Sequence, residues 1–193
     1  FVRIGGELSC SKEHQHNLLN NIIESEAKRL KNIGEKFSRE SINTVLAKHR
    51  VFISTVASIS GKTDIFSLKK FDIVIVDEAS QILEPQIVGI LPKCSKFILI
   101  GDHKQLPAIV LQDPESSKTN NELLESIGLL NRKNSLFERL YTYCEKNKFD
   151  FAYDKLTYQG RMHREVALFP NHSFYQSELK EAFDIPNLPI KTK

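Results

Sequence analysis

Two short apolar runs, Phe71 to Val76 and Lys96 to Ile100, constrain this chain more than any other feature. Neither shows the polar–apolar alternation of a half-exposed strand. Runs of this kind suit strands buried on both faces of a parallel sheet. The first stops at Asp77-Glu78 and the second at Gly101-Asp102. Between them, Glu84 to Leu91 predicts a helix with Pro85 in its first turn. Strand, helix and strand in this order make a βαβ unit with a right-handed crossover. Val51 to Thr55 reads as a further strand of the same kind.

The remaining segments surround that α/β frame. Phe1 to Ile4 is a short strand stopped by Gly5-Gly6, and Glu13 to Ile33 repeats Leu18, Leu19, Ile22, Ile23, Ala27, Leu30 and Ile33 at helical spacing. Gly34 supplies the stop, and a second helix is expected over Arg39–Lys48. This charged helical pair reads as an arm or insertion outside the sheet. Gln112 to Asn121 reads as a polar loop, Ser135 to Lys146 as a helix, Lys155 to Tyr158 as a weak strand and Arg164 to Phe174 as a helix.

Composition excludes some classes. The chain has 193 residues, 40% hydrophobic, with 27 basic and 24 acidic side chains giving a formal net charge of +3. No run of one sign forms a binding tail, so bulk charge neither demands nor excludes nucleic acid. Cys10, Cys94 and Cys144 stand far apart, without a CxxC pair, which argues against zinc and for a reducing intracellular compartment. The expected location is cytoplasmic in a bacterium, nuclear or cytoplasmic otherwise. No apolar run approaches the ~20 residues of a membrane span. The opening FVRIGG lacks an initiator methionine, so a fragment is expected.

Three strand ends carry chemistry. In an open α/β sheet, ligands bind beyond the carboxyl ends of the strands. There, Asp77 can hold Mg²⁺ while Glu78 orients or deprotonates an attacking water, the division of labour that phosphoryl transfer needs. An acidic strand exit explains the pair equally well by itself. The second strand end brings Gly101 and Gln105, whose amide both donates and accepts hydrogen bonds and suits a γ-phosphate sensor. The third brings Arg161, whose guanidinium can stabilise a transferring phosphoryl group. Acid pair, glutamine and arginine at successive strand ends are poorly explained by coincidence.

With these motifs in view, the chain resembles a superfamily 1 helicase of the branch containing the nonsense-mediated-decay helicase. Val76-Asp-Glu-Ala-Ser-Gln81 resembles motif II (Walker B), Gly101-Asp-His-Lys-Gln-Leu-Pro-Ala108 motif III, and Tyr158-Gln-Gly-Arg-Met-His163 motif IV. Val51 to Ser58 is similar to a strand-and-loop motif that touches nucleic acid, and Asn134 to Leu140 and Ala167 to Leu179 also fit. Ala108, Gly160 and Arg164 depart from the common pattern, and none of them replaces a proposed catalytic side chain.

The resemblance implies a RecA-like, P-loop NTPase-type parallel sheet flanked by helices. Residues 1–148 would be an incomplete first motor domain with a helical arm at 12–48, and residues 149–193 the start of a second. It implies Asp77 as Mg²⁺ ligand, Glu78 as catalytic base, Gln105 as coupling residue and Arg161 as arginine finger. ATP would be bound by Asp77, Glu78, Gly101, Gln105 and Arg161, and Ser54 and Thr55 would contact the sugar-phosphate backbone. The implied partner is single-stranded nucleic acid, DNA ahead of RNA, and the motor would be monomeric and without a membrane.

Gly61-Lys62-Thr63 is a decoy for the phosphate-binding loop, because Val56 stands where that pattern needs glycine. No other Gly-Lys-Ser/Thr occurs, so the chain alone is expected to be inactive, with the loop and the rest of the motor supplied by the parent. Lys62, Lys69 and Lys70 are candidate phosphate contacts, and Phe169, Phe174 and Tyr175 candidate stacking residues. Two other readings stay open: a nucleotide-switch ATPase that remodels protein complexes, and a non-catalytic nucleic-acid-binding module keeping the motor fold.

Overall fold

The computed structural model describes residues 1–182. Its named strands pair in parallel, as three two-stranded sheets among the described residues, with helices packed around them. This is the α/β architecture expected from the sequence, in small sheets consistent with a RecA-like P-loop NTPase fold.

In the first sheet β1 (Val2–Ile4) lies beside β2 (Phe52–Ser54), with Val2 opposite Phe52. The connection carries α1 (Leu19–Asn32) and α2 (Arg39–Ala47). Their apolar stripes close over the strands, so that Leu19 and Leu46 share a buried cluster with Val2, Ile4 and Ile65. The expected helix over residues 13–33 is divided: a 3₁₀ turn covers Lys12–Asn17, and Leu18 is extended before α1 begins. Leu18 leaves the helical path because it bridges Arg3 in the manner of a strand, a tertiary pairing that overrides local periodicity. The helix stops where the sequence says it should. Gly34 adopts φ +76°, its N–H donating to the Lys31 carbonyl and that of Glu35 to the Leu30 carbonyl, a Schellman end.

The second sheet pairs β3 (Phe71–Val76) with β4 (Cys94–Leu99), Val76 opposite Leu99. The helix between them is shorter than expected: α5 spans Glu84–Ile87, and Gly89 and Pro92 then lead into a 3₁₀ turn. Burial on both faces does not hold here. Val74, Val76 and Leu99 pack against Ile87, Leu91, Leu136 and Leu140. The opposite face shows Ile73, Ile75 and Ile98 at 53%, 62% and 48% exposure. Among the described residues β3 and β4 pair only with each other, so helices cover one side and nothing comparable covers the other.

Between these sheets, α3 (Val56–Ser60) and α4 (Ile65–Leu68) leave Gly61-Lys62-Thr63 in a turn between two short helices, not between a strand and a long helix. Beyond β4 come α6 (Glu122–Ser126) and α7 (Leu136–Lys146), the latter capped by the Ser135 hydroxyl, which accepts from Glu138 N–H. The polar loop 112–121 is less loose than its composition suggests, since Ser117 is fully buried and its hydroxyl donates to the Asp113 carbonyl. The most desolvated ion pair ties α5 to α7. Arg139 grips the buried Glu84 with two nitrogens, Nε donating at 2.8 Å.

The third sheet pairs β5 (Tyr158–Gln159) with β6 (Lys180–Glu181) around α8 (Arg164–Phe174). The weak strand expected at 155–158 is thus displaced, and β6 completes a small strand–helix–strand unit that the sequence did not announce. Residues 183–193, the end of the expected second domain, lie outside the described residues.

Candidate active site

Asp77 and Glu78 stand exposed at the carboxyl end of β3. The chain turns sharply there. Glu78 adopts φ +52°, ψ 36°, the left-handed region that non-glycine residues rarely occupy and that concentrates at functional sites. Two contacts hold the turn: Glu78 N–H donates to Asp77 Oδ1 at 3.0 Å, and Gln81 Nε2 to Glu78 Oε2 at 3.4 Å.

The end of β4 is bonded to the same place. Ile100 N–H donates to the Val76 carbonyl and Ala79 N–H to the Ile100 carbonyl, each at 2.8 Å. This close approach explains Gly101, because a Cβ there would lie 2.8 Å from the Ser80 nitrogen. One residue later, Asp102 N–H donates to the buried Ser80 hydroxyl at 3.1 Å. The loop after β4 is therefore clamped onto the turn that follows Glu78.

Gln105 is drawn to this edge through Asp102. Its Nε2 donates to Asp102 Oδ2 at 3.0 Å, while Lys104 N–H donates to Oδ1 at 2.9 Å. The Tyr175 hydroxyl, beyond the end of α8, donates to the same Oδ2. Burial pushes the Asp102 carboxyl up, but the hydrogen bonds from Tyr175, Gln105 and Lys104 and the charge of His103 outweigh it and hold the group below its ordinary value. Burial, then the bond to Asp102, push the Tyr175 phenol up to about 12.

The structure thus brings Asp77, Glu78, Gly101 and Gln105 to one edge. Arg161 sits exposed in the loop between β5 and α8. That loop is shaped by Gln159, whose Oε1 accepts from Arg161 N–H at 3.1 Å and Met162 N–H at 2.8 Å. Ser54 ends β2 of the first sheet, and Thr55 follows it. Ser54 Oγ lies 3.1 Å from the Ile4 carbonyl and 2.9 Å from that of Thr55, and Thr55 Oγ1 caps α3 by accepting from Ser58 N–H. Both residues remain exposed.

Other candidates have local employment. Lys69 Nζ donates to the Leu46 carbonyl at 3.1 Å and lies over the Phe52 ring, which makes it a tether of the first core. His163 caps α8 through Nδ1. Asp102 and Tyr175 are the residues whose role here went unseen. The signal for Asp102 was its place directly after Gly101. Tyr175 gave none, since its partner is 73 positions away.

Magnesium fits this donor set. Mg²⁺ takes oxygen ligands and usually keeps waters and substrate phosphates in place of an all-protein cage. The exposed carboxylate of Asp77 suits that role, and no group of three or more His, Cys, Asp or Glu able to hold a metal occurs among the described residues. Nor, among them, is any helix long and apolar enough to cross a membrane.

Comparison with known proteins gives the family. Residues 6–113 match the family described as AAA domain, and residues 132–192 match a second family of the same description. The chain belongs to the AAA-domain family. Among similar proteins, an uncharacterized ATP-dependent helicase of Methanocaldococcus jannaschii is 32% identical over 84% of this chain and 21% of its own length. A probable helicase of Dictyostelium discoideum is 36% identical over 78% of this chain and 14% of its own length. The DNA replication ATP-dependent helicase/nuclease of Homo sapiens is 40% identical over 60% of this chain and 9% of its own length. The chain therefore spans about a fifth or less of the curated relatives it matches. This AAA-domain chain is a RecA-like ATPase domain related to superfamily 1-type helicases.

Proposed function

We propose that the chain is the part of an ATP-driven helicase or single-strand translocase that supplies the water-activating and coupling residues. The observation that carries this reading is the clamped edge itself, with Asp77 and Glu78 on a strained turn and Gln105 tied to the same turn through Asp102 and Ser80. Similarity to ATP-dependent helicases supports it. Residues 1–148 act as most of a first motor domain and residues 149–193 as the opening of a second.

Asp77 would hold Mg²⁺, which would supply charge neutralisation at the phosphates of ATP. Glu78 accepts a proton from the attacking water. Gln105 orients that water against the γ-phosphate, with Gly101 allowing the loop to approach. Arg161, carried on the loop before α8, moves in to stabilise charge on the phosphoryl group. Ser54 and Thr55 contact the backbone of single-stranded nucleic acid, DNA ahead of RNA, in a monomeric motor inside the cell. The phosphate-cradling loop comes from elsewhere in the parent chain, since Gly61-Lys62-Thr63 lies between short helices.

The test is steady-state ATP turnover by the full-length protein, with and without single-stranded DNA or RNA, beside Glu78→Gln. The expected result is strong stimulation by one polymer and a loss of about 10²–10⁴-fold in kcat in the variant, the range for removing a general base. A wild-type protein that neither polymer stimulates, or a variant that turns over normally, overturns the proposal.

A further inference from the structure

We propose that Tyr175 is a positioning residue for Gln105, acting through the Asp102 carboxylate that both side chains bond. The inference rests on the motor reading above and extends it to how the arginine loop and the glutamine are coupled.

The geometry begins at Asp102. Two of its donors, Lys104 N–H and Gln105 Nε2, come from its own loop within three positions. Bonds so local turn with the loop and cannot fix its orientation. The Ser80 hydroxyl holds the backbone N–H of Asp102. The carboxylate is referred to distant structure by Tyr175 Oη, bonded to the oxygen that Gln105 uses. Gln105 is itself exposed, so packing does not hold its amide. The shared oxygen does.

Tyr175 is mounted rigidly enough to do this. It caps α8, its N–H donating to the Asn171 carbonyl at 3.1 Å. The chain then turns through Gln176 and Ser177, both left-handed at φ +54° and +62°. Asn171 staples that turn: its Nδ2 donates to the Leu179 carbonyl at 3.0 Å and its Oδ1 accepts from Leu179 N–H at 2.9 Å. Burial, then the bond to Asp102, push the phenol up to about 12, and the hydrogen bonds on Asp102 hold its carboxyl below its ordinary value, so that the phenol donates and the carboxylate accepts around neutral pH.

The same helix has Arg161 at its other end. Arg161 lies in the loop that ends at His163, the cap of α8, and α8 runs from Arg164 to Phe174 with Pro170 inside it. At 1.5 Å per residue it is about 16 Å long. The arginine loop and the tyrosine that bonds Asp102 thus stand at the two ends of one helix, so Arg161 and Gln105 are referred to the same element.

The experiment uses the full-length protein with Tyr175→Phe, which removes the hydroxyl and keeps the ring. Turnover saturated with single-stranded nucleic acid should fall roughly tenfold in kcat, the loss of one charge-assisted hydrogen bond, with KM for ATP unchanged. Asp102→Asn should lose at least as much, and the double variant no more than the worse single. A Tyr175 that only supports the fold would lower the melting temperature and leave kcat intact at temperatures where the protein is folded. Stimulation in the wild type that survives undiminished in Tyr175→Phe, or losses that multiply in the double variant, overturns this inference alone. A wild type that nucleic acid does not stimulate overturns the motor reading and this inference with it.

Discussion

The two larger sheets use one device and put it to opposite uses. Each is a parallel pair, β1 with β2 and β3 with β4. The first is the more deeply packed on one face, where α1 and α2 cover it and Val2 and Leu46 are 0% and 2% exposed, while Ile53 on its other face is 47% exposed. The second is one-sided, packed against α5 and α7 through Val76 and Leu99 while Ile73 and Ile75 face outward. The chemistry sits on the one-sided pair. Asp77 and Glu78 thus depend for their placement on a single packed face and on the backbone bonds that fasten β4 to the turn after Glu78. Both pairs carry packing on a helix-covered face, but the reactive geometry stands only on the second, and substitutions should separate the packed faces from the open ones.

The largest effect is expected at the tie behind the one-sided pair. Glu84 is buried between α5 and α7 and paired with Arg139 through both guanidinium nitrogens. Glu84→Gln leaves the Arg139 charge desolvated and unpaired, a kind of change that costs about 3–5 kcal/mol. Urea unfolding measures it. A loss below about 1 kcal/mol would mean that water reaches the pair and that α7 is not locked to α5 as described.

Next comes the covered face of the first pair. Leu46→Ala removes a side chain from the cluster of Val2, Ile4, Leu19 and Ile65, and should cost about 2–5 kcal/mol by the same measurement. Little loss would show that α2 frays from the strands and that the covered character of β1–β2 is weaker than its burial indicates.

What was legible in the sequence follows the same division. β3 and β4 were visible because apolar runs of that length have few other solutions, and the acidic and glycine-aspartate exits marked the site edge. Gly34 was readable as a stop because a left-handed terminus follows from local chemistry. The extended Leu18 was not, because the bridge to Arg3 that forces it joins residues far apart in sequence. The exposed face of Ile73 and Ile75 was misread for a related reason. Apolar continuity records that a strand tolerates burial on both sides, and says nothing of which neighbours stand there. Within the candidate site, Asp77, Glu78 and Gln105 announced themselves by motif. Tyr175 could not, since Phe169, Phe174 and Tyr175 offer one aromatic pattern and only contact with Asp102 separates the third from the others.

The smallest effect sharpens the comparison most. Ile75→Ala truncates a side chain that is 62% exposed, so it removes little buried surface and leaves no cavity, and its cost should stay within about 0.5 kcal/mol. Leu46→Ala and Ile75→Ala delete aliphatic side chains from strands and helices of one chain, and differ mainly in what surrounds them. If their costs differ by several-fold in these residues studied alone, the covered face of β1–β2 and the open face of β3–β4 are distinct as described. If the same Ile75→Ala change costs 2–5 kcal/mol in the full-length protein, the face of Ile73, Ile75 and Ile98 is covered there, and the site edge rests on two packed faces. Glu78 would then sit at the end of a strand packed on both faces, and the backbone bonds that join Ile100 to Val76 and Ala79 would be a supplement to packing instead of its substitute.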